Sequence, residues 1–130
     1  MSEEFKIEII NPEKSFLSKE DVNEVVVPAF EGEMGILKDH ISIISFLKPG
    51  ILKLISKSGE EKFYVEDGIL EFKDNNLSIL TSSISNIKDM EKSNVEQNIK
   101  IAENELNKVE NSDQKKYLAS QKIDVLKSLN

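Results

Sequence analysis

The residues with the makings of chemistry sit within one short stretch. His40, the single histidine, follows Asp39, and Glu31 and Glu33 lie just upstream. An imidazole oriented by a carboxylate is a common general base. Adjacent residues of an extended segment point to opposite faces, so Asp39 is badly placed to orient His40. A small hydrolase would have to use Glu31 or Glu33 with His40. The plainer reading is a histidine packed or hydrogen-bonded at a strand start. Gly32-Glu33-Met34-Gly35 has the glycine spacing of a phosphate cradle, and a G-x-x-G loop clamps nucleic-acid backbones in one RNA-binding module. Glu31 and Glu33 put negative charge where phosphate would sit, so the four residues read as a tight turn whose two glycines answer backbone needs. Carboxylates elsewhere lack the D-x-D-x-D-G spacing or helix-face His pairs of metal sites. No catalytic, nucleotide-binding or metal-ligating set is expected, and no cofactor.

Composition narrows the classes further. The chain has 130 residues, no cysteine and a net charge of −7. That length suits one domain, or one with a small appendage, and buries enough surface to need no staples. Without cysteine there is no thiol catalysis and no disulfide framework. Residues 1–84 carry the whole charge of −7, and residues 85–130 are neutral. An acidic body argues against nucleic acid. All 17 basic side chains are lysine, so there is no guanidinium fork for phosphate or carboxylate. No apolar run is long enough to span a bilayer, and the acidic start M-S-E-E-F-K is unlike a signal peptide. A soluble protein that works where it is made is expected.

Two halves of different period must position these residues. Alternation in 5–9, 22–27, 51–55, 62–65 and 70–72 predicts short strands. Turn signals separate them at Asn11-Pro12, Pro49-Gly50, Ser58-Gly59, Asp67-Gly68 and Asn75-Asn76, with Asp67-Gly68 supporting a hairpin. Ile41–Leu47 reads as a core strand, or as one whose free face docks a partner. Glu60, Glu61, Glu66, Asp67 and Glu71 read as a solvated face. These short strands predict an antiparallel β-sandwich or barrel over residues 1–86. Residues 87–130 read as an antiparallel two-helix hairpin. Val95, Ile99, Ala102, Leu106 and Val109 make a narrow stripe on a first helix of about 20 residues. Asn111-Ser112-Asp113 breaks it and caps a second helix, with apolar Tyr117, Leu118, Ile123, Val125, Leu126 and Leu129 and an interruption at Lys122. So little apolar surface means that the hairpin leans on the β body or on a partner.

The stretch V-P-A-F-E-G-E-M-G-I-L-K-D-H-I-S-I-I-S-F-L-K-P-G-I-L resembles the ε subunit of bacterial F-type ATP synthases. The family pattern is G-E-x-G-I/V-L-x-x-H-x-P-L followed by L-K-x-G. Gly32, Glu33, Gly35, Ile36, Leu37, His40, Leu47, Lys48 and Gly50 match it, and Ser42 replaces the family's proline. Gly68–Glu71 and Leu77–Leu80 match in order and spacing, so the resemblance covers essentially the whole chain. It implies an N-terminal sandwich and a C-terminal helical hairpin. It also implies a non-catalytic subunit of the central rotor stalk, coupling proton translocation to ATP synthesis by linking γ to the c-ring. The sandwich would bind γ through His40, Ile41 and Ile43, and meet the polar loops of the c-ring through Glu33, flanked by Gly32 and Gly35. Location would be peripheral, on the cytoplasmic face of the bacterial inner membrane, with membrane association only through the complex.

In many members of that family the hairpin, extended toward the α/β catalytic head, blocks ATP hydrolysis. Some members bind ATP through an I/L-D-x-x-R-A motif. The aligned residues here are Met90–Val95, with Asn94 in place of arginine and Val95 in place of alanine. No tight ATP site is expected, and inhibition by a short hairpin without a basic run is expected to be weak. From composition alone, the alternative is a free-standing acidic β-sandwich module that binds another protein.

Overall fold

The structure, a computed structural model, describes residues 3–108 and 112–129. Alternating side chains build its strands. In β1 (Phe5–Asn11), Phe5, Ile7 and Ile9 are buried and Lys6 is exposed. The same period of two runs through β5 (Gly50–Ser56), β7 (Gly68–Lys73) and β8 (Asn76–Leu80). The remaining strands are β2 (Lys14–Ala29), β3 (Gly32–Leu37), β4 (Ile43–Leu47), β6 (Gly59–Val65) and β9 (Ile84–Asn86). Hydrogen bonding runs in the order β1-β8-β7-β4-β2-β5-β6-β9, with β3 added on β2.

The long strand β2 joins the two layers. Its first part pairs with β1, and its second part pairs with β3 and β5. A register shift between Val22 and Glu24 resets the alternation, so Val22, Val25 and Val27 all point inward. The core between the layers is apolar, with Ile7, Leu52, Leu54, Phe63, Leu70, Phe72 and Ile79 essentially inaccessible.

Several expectations need correcting. One pair, β1 with β8, is parallel rather than antiparallel, because strands far apart in sequence need no tight turn to join them. Asp67-Gly68 does not close a hairpin. It carries the chain from β6, which pairs with β5 and β9, to β7, which pairs with β4 and β8. The β7–β8 hairpin turns on Asp74-Asn75, one position earlier than expected, with φ of 52° and 60°. Both residues tolerate the left-handed region that a two-residue turn requires.

After β9 a single 3-10 turn, Ile87–Asp89, leads to α1 (Lys92–Asn107) and α2 (Asp113–Ser128). The Ser112 hydroxyl accepts from the Lys115 amide at 3.2 Å and caps α2. At 16 residues, α1 is shorter than expected, and Val109, the last member of its stripe, lies outside the described residues. The hairpin lies folded on the sandwich. Val95, Ile99 and Leu126 pack with Tyr64 of β6, against Ile51, Met90, Val125 and Leu129. That cover explains why Phe63, Tyr64 and Val65 are buried in succession, against the alternation of the other strands.

Candidate interface surfaces

Glu33 sits on β3, which is a strand and not the loop expected from its glycines. The turn is Phe30-Glu31, and β3 then pairs with β2 from Ala29↔Gly32 to Glu24↔Leu37. Only Gly32 needs glycine freedom, at φ 131° beside that turn. Gly35 lies in regular strand opposite Val26, and an added Cβ there would make only ordinary contact with Glu24. Glu33 is exposed on the outward side of this edge strand.

His40 stands between β3 and β4. Its Nδ1 lies 2.8 Å from the Ile41 carbonyl oxygen, and its ring meets Phe72 edge-on at 5.9 Å. Asp39 turns elsewhere. Its amide donates to the Asn75 side chain at 2.7 Å, and the Asn75 amide group donates back to its carboxylate at 3.0 Å. The pair therefore works as two separate fasteners, one on Phe72 and one on the β7–β8 turn. Among the described residues, no group of three histidine, cysteine or carboxylate side chains could hold a metal ion.

The pleat of β4 decides which side chains a partner would meet. Ile43 points inward and packs on the sandwich core. Ile41 precedes the strand and is 76% exposed. The outward positions are Ile44 and Phe46, 67% and 58% exposed. Phe46 pairs with Ile69, which pairs with Leu80, which pairs with Ile10. Because paired residues share a face, these form an apolar row across four strands. Phe30 and Leu37 are exposed as well. A contiguous outward apolar row of this kind marks an interaction surface. Sequence reasoning missed Ile44, Phe46, Ile69 and Leu80. Alternation in I-I-S-F-L carried the signal, but not which of its two faces looked out.

The β6–β7 connection ties this face to the hairpin. The Tyr64 hydroxyl donates to Glu66 at 2.9 Å, and Lys122 of α2 pairs with Glu66 at 3.5 Å. Burial, and then the Glu66 charge and hydrogen bond, push the Tyr64 phenol far above its ordinary range. For Asp67, partial burial pushes the carboxyl up. Hydrogen bonds from the Ser82 hydroxyl (2.6 Å) and amide (3.1 Å), one from Thr81 (3.2 Å) and the Lys122 charge outweigh it and hold the carboxyl below its usual value. Asn94, where the ATP-binding motif has arginine, lines a cavity with Asp89, Gln97 and Asn98, and among the described residues no lysine lines it. Val95 of the same segment is buried in the hairpin core.

A two-layer body, an outward apolar row and a folded helical clasp define an interaction module. Comparison with known proteins makes this specific. Residues 4–87 match the family described as ATP synthase, Delta/Epsilon chain, beta-sandwich domain, and the chain belongs to that family. It is 72% identical to the ATP synthase epsilon chain of Pelagibacter ubique, over the full length of both chains. With the ATP synthase epsilon chain of Rhizobium rhizogenes it shares 32% identity, over 91% of this chain and 87% of that one. Its fold is that of a chain in the Euglena gracilis mitochondrial ATP synthase, with a TM-score of 0.77 at 17% identity, covering 99% of this chain and 80% of the other. A chain of the Tetrahymena thermophila central stalk and c-ring matches at a TM-score of 0.66 and 16% identity, covering 95% and 93%. The protein is thus a non-catalytic subunit of the ATP synthase, a membrane-associated complex. Among the described residues no helix is long and apolar enough to cross a membrane.

Proposed function

We propose that the chain joins the γ shaft to the c-ring on the cytoplasmic face of the bacterial membrane and so couples proton translocation to ATP synthesis. In this reading residues 1–86 form the rotor foot and residues 87–130 the hairpin. The row Phe46–Ile69–Leu80 carries the proposal, because it is an apolar docking face on a rigid two-layer body. γ meets that face together with Ile41 and the ridge held by His40, while Ile43 backs it from the core side. Glu33, between Gly32 and Gly35 on the edge strand, faces the polar loops of the c-ring. Such a contact combines an apolar core with polar pairs that fix register.

The test uses Phe46→Asp and Glu33→Lys in the reconstituted synthase. Phe46→Asp abolishes capture of the chain by γ. Glu33→Lys leaves capture by γ intact and weakens binding of the assembled rotor head to the c-ring by about twofold to fivefold, the scale of an exposed polar contact. Undiminished capture by γ after Phe46→Asp would count against this face, whereas failure of the wild-type chain to bind γ would favour a free-standing binding module.

A further inference from the structure

We infer that the folded hairpin forms part of the surface that meets γ, through Leu118, so that hairpin docking and γ binding are coupled. This rests on the reading that the outer face of β4, β7 and β8 meets γ. Leu118, on α2, lines an open notch of about 380 Å³ together with Phe30, Phe46, Ile69 and Leu80. It lies outside the cluster that holds the hairpin down, which is built from Tyr64, Val95, Ile99 and Leu126 and the residues around them. Leu118 is therefore a partly buried apolar side chain outside that core, placed beside the sandwich's own apolar row.

The surface continues beyond the notch. Leu118 also lines a second cavity, of about 410 Å³, with Ile101 and Ala119. Ile101 is 54% exposed. An apolar seam, flanked by Asn98, Glu105 and Lys115, therefore runs from Phe46, Ile69 and Leu80 across the β6–β7 connection and onto both helices. At its crossing point Glu66 and Lys122 pair with each other at 3.5 Å, which leaves little net charge to attract a charged ligand. An occupant that follows the seam is elongated and apolar along one side, which is the character of a helical shaft. It is continuous with the face already assigned to γ.

Leu118 stands at the notch only while the hairpin is folded. A γ subunit seated on Phe46 and Ile69 then gains one further apolar side chain, a contact of about tenfold in affinity. Linkage makes the effect reciprocal. Bound γ favours the folded hairpin by the same factor.

The experiment titrates the full-length chain against γ assembled with the catalytic subunits, and follows amide hydrogen exchange over residues 113–128. Leu118→Ser is expected to weaken binding about tenfold and leave the thermal unfolding of the free chain unchanged. γ is expected to slow exchange in α2 of the wild-type chain, and Leu118→Ser to remove that added protection. If Leu118→Ser binds like the wild type while Phe46→Asp does not bind, the coupling is overturned and the docking face stands. If neither substitution weakens binding, the docking face itself is overturned. If Leu118→Ser loosens the free hairpin, the wild-type exchange decides alone, and no added protection by γ overturns the inference. Sedimentation of the free chain as a dimer that Leu118→Ser dissociates would assign the seam to a second copy and overturn it too.

Discussion

At the scale of single residues, close approach explains more than polar chemistry. Gly50 begins β5 where the Pro28 ring packs on its backbone, and an added Cβ would overlap Pro28. The Lys48 amide also donates to the Pro28 carbonyl at 3.0 Å, so neither side is free to give. Gly50→Ala is expected to destabilise the chain by about 1–3 kcal/mol, read as a lower denaturation midpoint at unchanged slope. Asp67 makes a pH prediction. Its folded-state carboxyl is held below the ordinary value of about 3.9, so its contribution is fully present above that pH. The contribution is lost as pH falls through the lower folded value. Asp67→Ala should therefore lower stability at neutral pH and narrow the gap to the wild-type chain as pH falls below the ordinary carboxylate range. A difference between the two that stays constant down to pH 2 would show that the carboxylate charge does not matter.

At the scale of elements, the helical hairpin is the loosest part. Its contact with the sandwich rests on few buried side chains, Leu126 among the deepest at 1% exposure. Elements with few buried contacts open at low free energy. Leu126→Ala removes the side chain that packs beside Tyr64 and costs about 2–5 kcal/mol of docking. Amide exchange in residues 92–107 and 113–128 is expected to rise sharply while β1 and β8 stay protected; a uniform rise would mean that hairpin and sandwich open as one unit. The strands show how far the sequence could be read. β1, β5 and β7 were legible because each alternates cleanly, whereas β8, five residues after a tight turn, was not among the strands predicted from alternation. β3 was not, because Gly32 and Gly35 look like a turn until β2 is seen to pair with them. β9 has only three residues and exists because β6 offers it an edge. The hairpin's helices were legible from their stripes, whereas Lys122 looked like an interruption and instead pairs with Glu66.

For the molecule as a whole, core and clasp are separable. Among the described residues, the sandwich core draws on no side chain beyond Ile84, and the helices pack on its outside. A chain truncated after residue 87 is expected to fold cooperatively, with circular dichroism losing only its helical part. It should still bind γ, more weakly for want of Leu118. ATP hydrolysis in the reconstituted complex should change little, because residues 85–130 carry no net charge to draw them to a charged target. A large rise in hydrolysis would mean that the hairpin is a strong inhibitor.

The sequence by itself determined the two periods, the boundary between them, the absence of thiols and guanidinium groups, and the motif around Glu33 and His40. Those are local properties, carried by neighbours within one turn or one pleat. Only the tertiary structure decided that Ile44 and Phe46 face outward while Ile43 faces the core. An alternating strand defines two faces and does not say which one is covered. Nor could any local pattern bring Leu118 beside Phe46 and Leu80. That placement follows from β2 bridging two layers and from the hairpin folding back over β6, both products of pairing between distant parts of the chain.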